Sequence, residues 1–192
     1  MYVIGLTGGV GSGKSLAAEI LAEKYNAELL ITDELGHRVM EPGEKCYKEI
    51  VAHFGQQILD PDGTISRGCL AERIFQSEEE RKWLNERIHP AVIEYVRGYI
   101  KQRKEKKGVI VLESALLIES GCDSFCDRIW YVHVSEDVRR ERLMESRGYS
   151  EEKITSILKR QMSEEAFRHH SDVVIENDGT VDELRKQIER YV

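Results

Sequence analysis

The sequence predicts an α/β protein of the P-loop type, with a five-stranded parallel sheet and helices on both faces. Short apolar runs alternate along the chain with segments of helical periodicity. The apolar runs are continuous rather than alternating, which is typical of parallel strands covered on both faces. A glycine-rich turn with a phosphate-binding pattern follows the first run. Together these observations favour the doubly wound class.

The predicted strands are short apolar segments bounded by turn residues. They are Tyr2–Leu6, Leu29–Thr32, Val109–Leu112, Ile129–Val134 and Asp172–Ile175. The first predicted helix, Gly13–Asn26, opens directly after the glycine-rich turn.

A long and mostly helical stretch, about residues 34–107, separates the second strand from the third. Within it, Asp60–Gly63 is a turn signal. Two helices, Glu78–Ile88 and Pro90–Lys107, are predicted to meet at His89-Pro90, because proline suits the first position of a helix. Val92 and Val96 have helical spacing, which indicates core positions.

The last helix is predicted from a capping box at Thr180–Glu183. In this motif the side chains of the first and fourth residues each accept a hydrogen bond from the other's backbone N–H group. The apolar positions that follow are expected to face inward. They are Val181, Leu184, Ile188 and Tyr191.

Composition excludes several classes of protein. The 192 residues suit one domain, and the net charge of −7 argues against general coating of nucleic acid. No apolar run has the length of a membrane span, and the N-terminus is interpreted as a strand rather than a signal peptide. The four cysteines lack a metal-binding spacing, so we expect reduced thiols in a cytoplasmic protein.

The strongest motif lies at Gly8–Ser15, which matches G-x-x-x-x-G-K-S/T without a mismatch. Its backbone N–H groups are expected to surround phosphate oxygens at the start of a helix. Lys14 would reach the β- and γ-phosphates of ATP, and the Ser15 hydroxyl would hold Mg²⁺. The predicted nucleotide-binding residues here are Gly9, Val10, Gly11, Ser12, Gly13, Lys14, Ser15 and Leu16.

Two acidic residues end predicted strands, at the edge of the sheet where ligands bind in this class. Asp33 follows the second strand, and a carboxylate there can take the proton of an acceptor hydroxyl. Glu113 follows the third strand and can hold Mg²⁺ through water. For each, an ordinary helix cap is an equally good interpretation.

An arginine-rich segment follows the fourth strand. Arg139 and Arg142 share one helix face and Arg140 and Arg147 another, which suits a lid that clamps phosphate. The alternative is a solvated helix whose arginines pair with the interleaved glutamates. Because the chain also has a P-loop motif, we favour the lid interpretation over the solvated helix for one or two of these arginines.

An ordered set of motifs along nearly the whole chain resembles the dephospho-coenzyme A kinase family. The set comprises Gly5–Ser15, Asp33, Val39–Gly43, Arg67, Leu70, Ile74-Phe75, Ile88–Pro90, Leu116–Gly121, Arg142, Arg147, Arg160-Gln161 and Asp172–Asn177. The resemblance implies one P-loop kinase domain over residues 1–192. It also implies a helical acceptor-binding region at about 60–107 and a lid at about 137–168.

The resemblance also implies an activity: ATP-dependent phosphorylation, with Mg²⁺, of the ribose 3′-hydroxyl of dephospho-coenzyme A, the last step of coenzyme A synthesis. By this resemblance Lys14, Asp33 and Arg142 are catalytic, with Asp33 as the base. Arg147 and Asn177 would bind the nucleotide. His89, Leu116 and Leu117 would lie on the acceptor side. No nucleic-acid or membrane partner is implied.

Two other functions remain open from the residues. One is a P-loop kinase for a nucleoside or another small alcohol. The other is a paralogue that binds nucleotide without catalysis. Leu16, Ile31 and Glu113, which differ from the usual residues of the family, favour the paralogue. Lys14 and Asp33 are present and argue against it.

Overall fold

A computed structural model describes residues 1–191 and confirms the five-stranded parallel sheet. The strands are β1 (Tyr2–Thr7), β2 (Glu28–Ile31), β3 (Val109–Glu113), β4 (Arg128–His133) and β5 (Val173–Glu176). Their order is β2-β3-β1-β4-β5, and every neighbouring pair is parallel. β1, which precedes the glycine-rich loop, is therefore the central strand.

The helices fall into a group around the sheet and a group between β2 and β3. The first group is α1 (Lys14–Tyr25), α6 (Glu136–Arg147), α7 (Glu151–Arg160), α8 (Glu164–His169) and α9 (Val181–Glu189). The second is α2 (Thr32–Arg38), α3 (Lys45–Phe54), α4 (Arg67–Gln76) and α5 (Glu78–Arg103).

The chain divides into two compact units. The first unit contains residues 1–31 and the chain from residue 103 onward, and so includes the whole sheet. The second unit is the continuous segment 32–102, which is mainly helical. Among the described residues, no helix combines the length and the apolar character that crossing a membrane requires.

The core of the first unit is built from the sheet and the helices α1 and α9. The strands contribute fully buried side chains because both of their faces are covered, as the continuous apolar runs predict. The cluster includes Ile4, Leu6, Val111, Trp130, Val132, Ile175, Ala17, Ala18, Leu21, Leu184 and Ile188.

The capping box of α9 is confirmed, since Thr180 and Glu183 satisfy each other's backbone N–H groups. Leu184 and Ile188 are buried as predicted. The prediction that Val181 and Tyr191 also face inward was wrong, because they are 51% and 45% exposed. Val181 is the first residue of α9 and Tyr191 follows its last, so no further turn covers them. The Tyr191 ring still meets Trp130 edge-on, with centroids 5.6 Å apart.

The helical second unit confirms the turn at Asp60–Gly63, where the Gly63 N–H donates to the carbonyl oxygen of Asp60. The prediction of two helices meeting at His89-Pro90 was wrong, because α5 continues through Pro90. Pro90 leaves the carbonyl oxygen of Glu86 without its helical donor. Pro90 and Glu86 are both exposed, so water can solvate that carbonyl.

The continuity of α5 follows from burial on its opposite face. Leu84, Val92 and Val96 are all buried, and their spacing keeps them on one face across the proline. That stripe is core, as the spacing of Val92 and Val96 predicts.

Replacing Ile188 with Ala should lower the free energy of unfolding by about 2–5 kcal/mol, because a fully buried side chain is truncated. Val181→Ala, on the exposed end of the same helix, is the matched control and should stay within about 0.5 kcal/mol of wild type. Urea denaturation followed by circular dichroism measures both. Equal losses from the two substitutions would contradict this account of α9.

Candidate phosphate-binding site

The glycine-rich loop joins the central strand β1 to α1 and occupies residues 8–13. Gly8, Gly11 and Gly13 all have positive φ angles, of +151°, +84° and +82°. At Gly8 there is also no room for a side chain, because a Cβ atom would lie 2.5 Å from the carbonyl oxygen of Val132. The predicted arrangement of strand, loop and helix is confirmed, and it directs the first N–H groups of α1 toward the loop.

Lys14 folds back over this loop. Its Nζ donates a hydrogen bond to the carbonyl oxygen of Gly9 at 3.1 Å, and the residue is only 8% exposed. The ammonium group is thus held beside the second glycine of the motif. The positive charge of Lys14 is therefore in position before a phosphate group binds.

Ser15 and Glu113 form an oxygen-rich pair beside the loop. Parallel pairing places Glu113, the last residue of β3, opposite Leu6 of β1. The Ser15 hydroxyl donates to Oε2 of Glu113 at 3.5 Å, and Glu113 is 5% exposed. The turn after β3 is capped by the hydroxyl of Ser114, which accepts from the N–H of Leu116. A hydroxyl and a carboxylate at this distance are the kind of ligands that Mg²⁺ prefers, so the residues fit that ion.

Asn177, which follows β5, braces the far end of the loop. Its side-chain amide donates to the carbonyl oxygen of Ser12 at 2.8 Å, and the residue is 5% exposed. A side chain at Gly13 would collide with the same amide. Asn177 therefore lies beside the predicted nucleotide-binding residues, in direct contact with their backbone.

Two arginines of the predicted lid are held by pairs of glutamates. Arg140 on α6 lies 2.7 Å from both Glu136 and Glu151. Arg168 on α8 bridges Glu164 at 2.7 Å, and it reaches Glu176 on β5 at 2.9 Å. For Arg140 and Arg168 the alternative interpretation, a salt-bridged solvated helix, is the one observed.

Arg139, one of the candidate lid arginines, contacts the loop itself, which the sequence did not predict. Its Nε donates to the carbonyl oxygen of Val10 at 3.2 Å, and its Nη2 donates to the side chain of Gln161. Four residues later, Leu143 packs against Gly11. An apolar residue one turn after Arg139 is the signal that marks this face of α6 as the inward one.

Arg142 and Arg147, which were predicted to bind or act on the nucleotide, lie in different surroundings. Arg142 is half-buried near Asp178. The pKa of the Asp178 carboxyl is lowered chiefly by a hydrogen bond from Ser135, with smaller effects from nearby positive charges that include Arg142. Arg147 is exposed at the end of α6, with its guanidinium 6.0 Å from the ring centre of Tyr149.

The residues predicted on the acceptor side differ in exposure. Leu117 is fully buried and packs toward Gly5, so it is a core residue, whereas Leu116 is 44% exposed. In the second unit, His89 is exposed on α5. Asp33 is also exposed and lies inside the first turn of α2, which begins at Thr32. Asp33 is therefore not the N-cap that the alternative interpretation requires.

Leu16, predicted beside the nucleotide, turns its side chain toward the core cluster of the first unit. Its backbone N–H, at the start of α1, is the part of the residue that remains suited to phosphate.

The second unit contains a cavity of about 680 Å³ that the sequence analysis did not locate. We refer to it as the second-unit cavity. Its lining combines apolar and polar side chains, among them Met40, Ile65, Ile74, Leu84, His37, Asp60 and Arg67. The residues come from α2 and the turn that follows it, from α4 and α5, and from residues 60–66, so the sequence shows no single motif for the cavity.

Comparison with known proteins gives a consistent result. The sequence profile of dephospho-CoA kinase matches residues 2–183. A dephospho-CoA kinase of Corynebacterium diphtheriae is 40% identical over 187 residues, covering 97% of this chain and 93% of that protein. One of Geobacillus kaustophilus is 38% identical over 187 residues, covering 96% and 92%.

Among solved structures, the dephospho-CoA kinase from Campylobacter jejuni superposes with a TM-score of 0.74 at 20% identity. It covers 98% of this chain and 94% of that one. At that identity the likeness shows the fold.

Replacing Asn177 with Ala should lower the free energy of unfolding by about 1–3 kcal/mol, because the buried carbonyl oxygen of Ser12 would lose its donor. The same substitution at Asn85, which is exposed on α5, is the control and should change stability by less than about 0.5 kcal/mol. Urea denaturation of both variants is the measurement. An Asn177→Ala protein as stable as wild type would show that the amide does not brace the loop.

Proposed function

Because the chain belongs to the dephospho-CoA kinase family, we propose that it transfers the γ-phosphoryl group of ATP to the ribose 3′-hydroxyl of dephospho-coenzyme A. The observation that carries this function is the unbroken phosphate loop between β1 and α1, in a chain that matches the family profile over residues 2–183. This reaction is the last step of coenzyme A synthesis.

Binding of the nucleotide rests on the loop and on Lys14. The N–H groups of the loop and the start of α1 would hold the phosphate oxygens. Lys14 would exchange its hydrogen bond to Gly9 for contacts with the β- and γ-phosphates, where negative charge is greatest. Asn177 would act on the nucleotide through the loop backbone, which it already supports.

Magnesium would be held by the Ser15 hydroxyl and, directly or through water, by Glu113. When bound, the ion neutralises charge on the phosphate oxygens as transfer proceeds. Glu113 is suited to this position because β3 ends beside β1, so its carboxylate lies next to the first turn of α1.

The acceptor would be activated by Asp33, which takes the proton of the 3′-hydroxyl as the P–O bond to the acceptor forms. The exposure of its carboxylate on α2 supports this role. The second-unit cavity suits part of a long acceptor that has both apolar and anionic portions, because Met40, Ile74 and Arg67 line it together. His89 and Leu116 remain proposed acceptor contacts on exposed surface.

The lid role is proposed for α6 and α7, with Arg142 stabilising the transferring group and Arg147 the nucleotide. A cytoplasmic location is proposed from the four cysteines, all of which are free thiols.

The purified protein should phosphorylate dephospho-coenzyme A, with ATP and Mg²⁺, at a higher kcat/KM than adenosine or any common nucleoside. The measurement is ATP consumption with each acceptor, together with identification of the 3′-phosphorylated product. A higher kcat/KM for a nucleoside would assign the protein to the small-molecule kinases. ATP binding without transfer to any acceptor would instead assign it to the non-catalytic paralogues.

Asp33→Asn should lower kcat by about 10²–10⁴-fold and change KM for either substrate much less, since a base is removed with little change in volume. Glu34→Gln, the adjacent residue with the same loss of charge, is the control and should keep kcat near wild type. Steady-state kinetics on both variants provide the test. Equal kcat values for the two variants would exclude Asp33 as the base.

A further inference from the structure

We propose that Arg139 is a phosphate-binding residue of this kinase, whose guanidinium takes the terminal phosphates of ATP as its counter-ion. The inference rests on the proposed function in one respect only, that the loop binds ATP. The sequence placed Arg139 in the arginine-rich segment without giving it an individual role.

The guanidinium of Arg139 lies directly on the phosphate loop. It donates to the carbonyl oxygen of Val10 at 3.2 Å, and a side chain at Gly9 would collide with it. Lys14 reaches the same glycine from within the loop. Two cationic side chains thus converge on Gly9, the second residue of the motif.

Arg139 differs in its partners from Arg140 and Arg168, two other arginines of the helical segment 136–169. Arg140 and Arg168 each have two carboxylates within 3 Å. Among residues 1–191, no carboxylate oxygen lies within the 4.0 Å ion-pair distance of Arg139. Its protein partners are a backbone carbonyl and the amide of Gln161, which are both neutral.

The environment of Arg139 makes an anionic ligand favourable. Burial lowers the pKa of the guanidinium, and nearby Tyr131 and Glu136 oppose that effect. Glu136, the carboxylate of these two groups, is already in contact with Arg140. A half-buried charge that has only neutral partners gains free energy when an anion arrives, and the loop beside it is built to bind one.

The position of Arg139 is fixed from two sides, so it would not need to be reorganised when ATP binds. Leu143 packs against Gly11 and holds α6 on the loop, while Gln161 at the end of α7 holds the guanidinium. A planar, preorganised fork of donors suits phosphate oxygens. Its contribution would therefore appear in binding of the triphosphate and in the transfer step.

The test compares Arg139→Gln, Arg139→Lys and Arg140→Gln. Glutamine keeps an amide donor for the carbonyl oxygen of Val10 but removes the charge, lysine keeps the charge, and Arg140 offers the same substitution on the adjacent residue. Affinities for Mg²⁺-ATP and for uncharged adenosine are measured by calorimetry without any acceptor. Thermal unfolding confirms that the compared variants are folded.

We expect Arg139→Gln to weaken ATP binding by about 10- to 100-fold and to leave adenosine binding within about twofold. Arg139→Lys should recover most of the affinity for ATP, and Arg140→Gln should match wild type. In the transfer assay, Arg139→Gln should lower kcat/KM for ATP by about 10²–10³-fold.

Wild-type affinity for ATP in Arg139→Gln would overturn the proposal, because hydrogen bonding to the loop would then be the whole role of Arg139. Equal weakening of ATP and adenosine would overturn it too, since that pattern indicates a distorted site. If Arg139→Gln does not fold, the result for Arg139→Lys is used instead. A folded Arg139→Lys protein keeps the charge, so a loss of ATP affinity of about 10- to 100-fold in it would contradict a role based on charge. These binding measurements are independent of the acceptor, so a failure of the dephospho-coenzyme A assay alone would leave the proposal about Arg139 standing.

Discussion

The site depends on keeping a glycine-rich loop open in one conformation before any phosphate is present. A loop with three glycines at positive φ angles has high conformational freedom in the unfolded chain, so the fold must supply contacts that fix it. Three side chains donate hydrogen bonds to carbonyl oxygens of the loop. Asn177 donates to Ser12, Arg139 donates to Val10, and Lys14 donates to Gly9. Each contact is made to a carbonyl oxygen of the loop and so occupies none of its N–H groups. The parallel sheet brings these partners together, because β1 lies between β3 and β4 at its centre.

The arginines of the first unit illustrate how one residue type serves two purposes. Where two glutamates flank an arginine, as at Arg140 and Arg168, the charge is neutralised within the protein and ties helices to each other or to the sheet. Where the neighbours are carbonyls and amides, as at Arg139, the charge is left for a ligand. Exposed ion pairs contribute little to stability, so the difference matters more for binding than for folding.

The sequence predicts those parts of the molecule that depend on local pattern. Continuous apolar runs give the five strands, and the motif at Gly8–Ser15 gives the loop. The continuity of α5 is not predictable locally, because the tertiary burial of Val92 and Val96 outweighs the effect of Pro90. The contact of Arg139 with Val10 and the second-unit cavity each join residues far apart in the chain. No spacing rule therefore points to them.

The order of the strands also has a consequence for synthesis of the chain. The central strand β1 leaves the ribosome before both strands that flank it, since Tyr2 pairs with Val109 and Ile4 pairs with Arg128. The whole helical segment 32–102 is made before either partner of β1 exists. Because pairing between such distant segments is slow, β1 and its glycine loop stay unpaired in the nascent chain while the helices of segment 32–102 form locally. An apolar strand held unpaired for that long is a natural target for chaperones. The strand that leads into the phosphate loop is thus translated before its two partners and pairs only after they have been made.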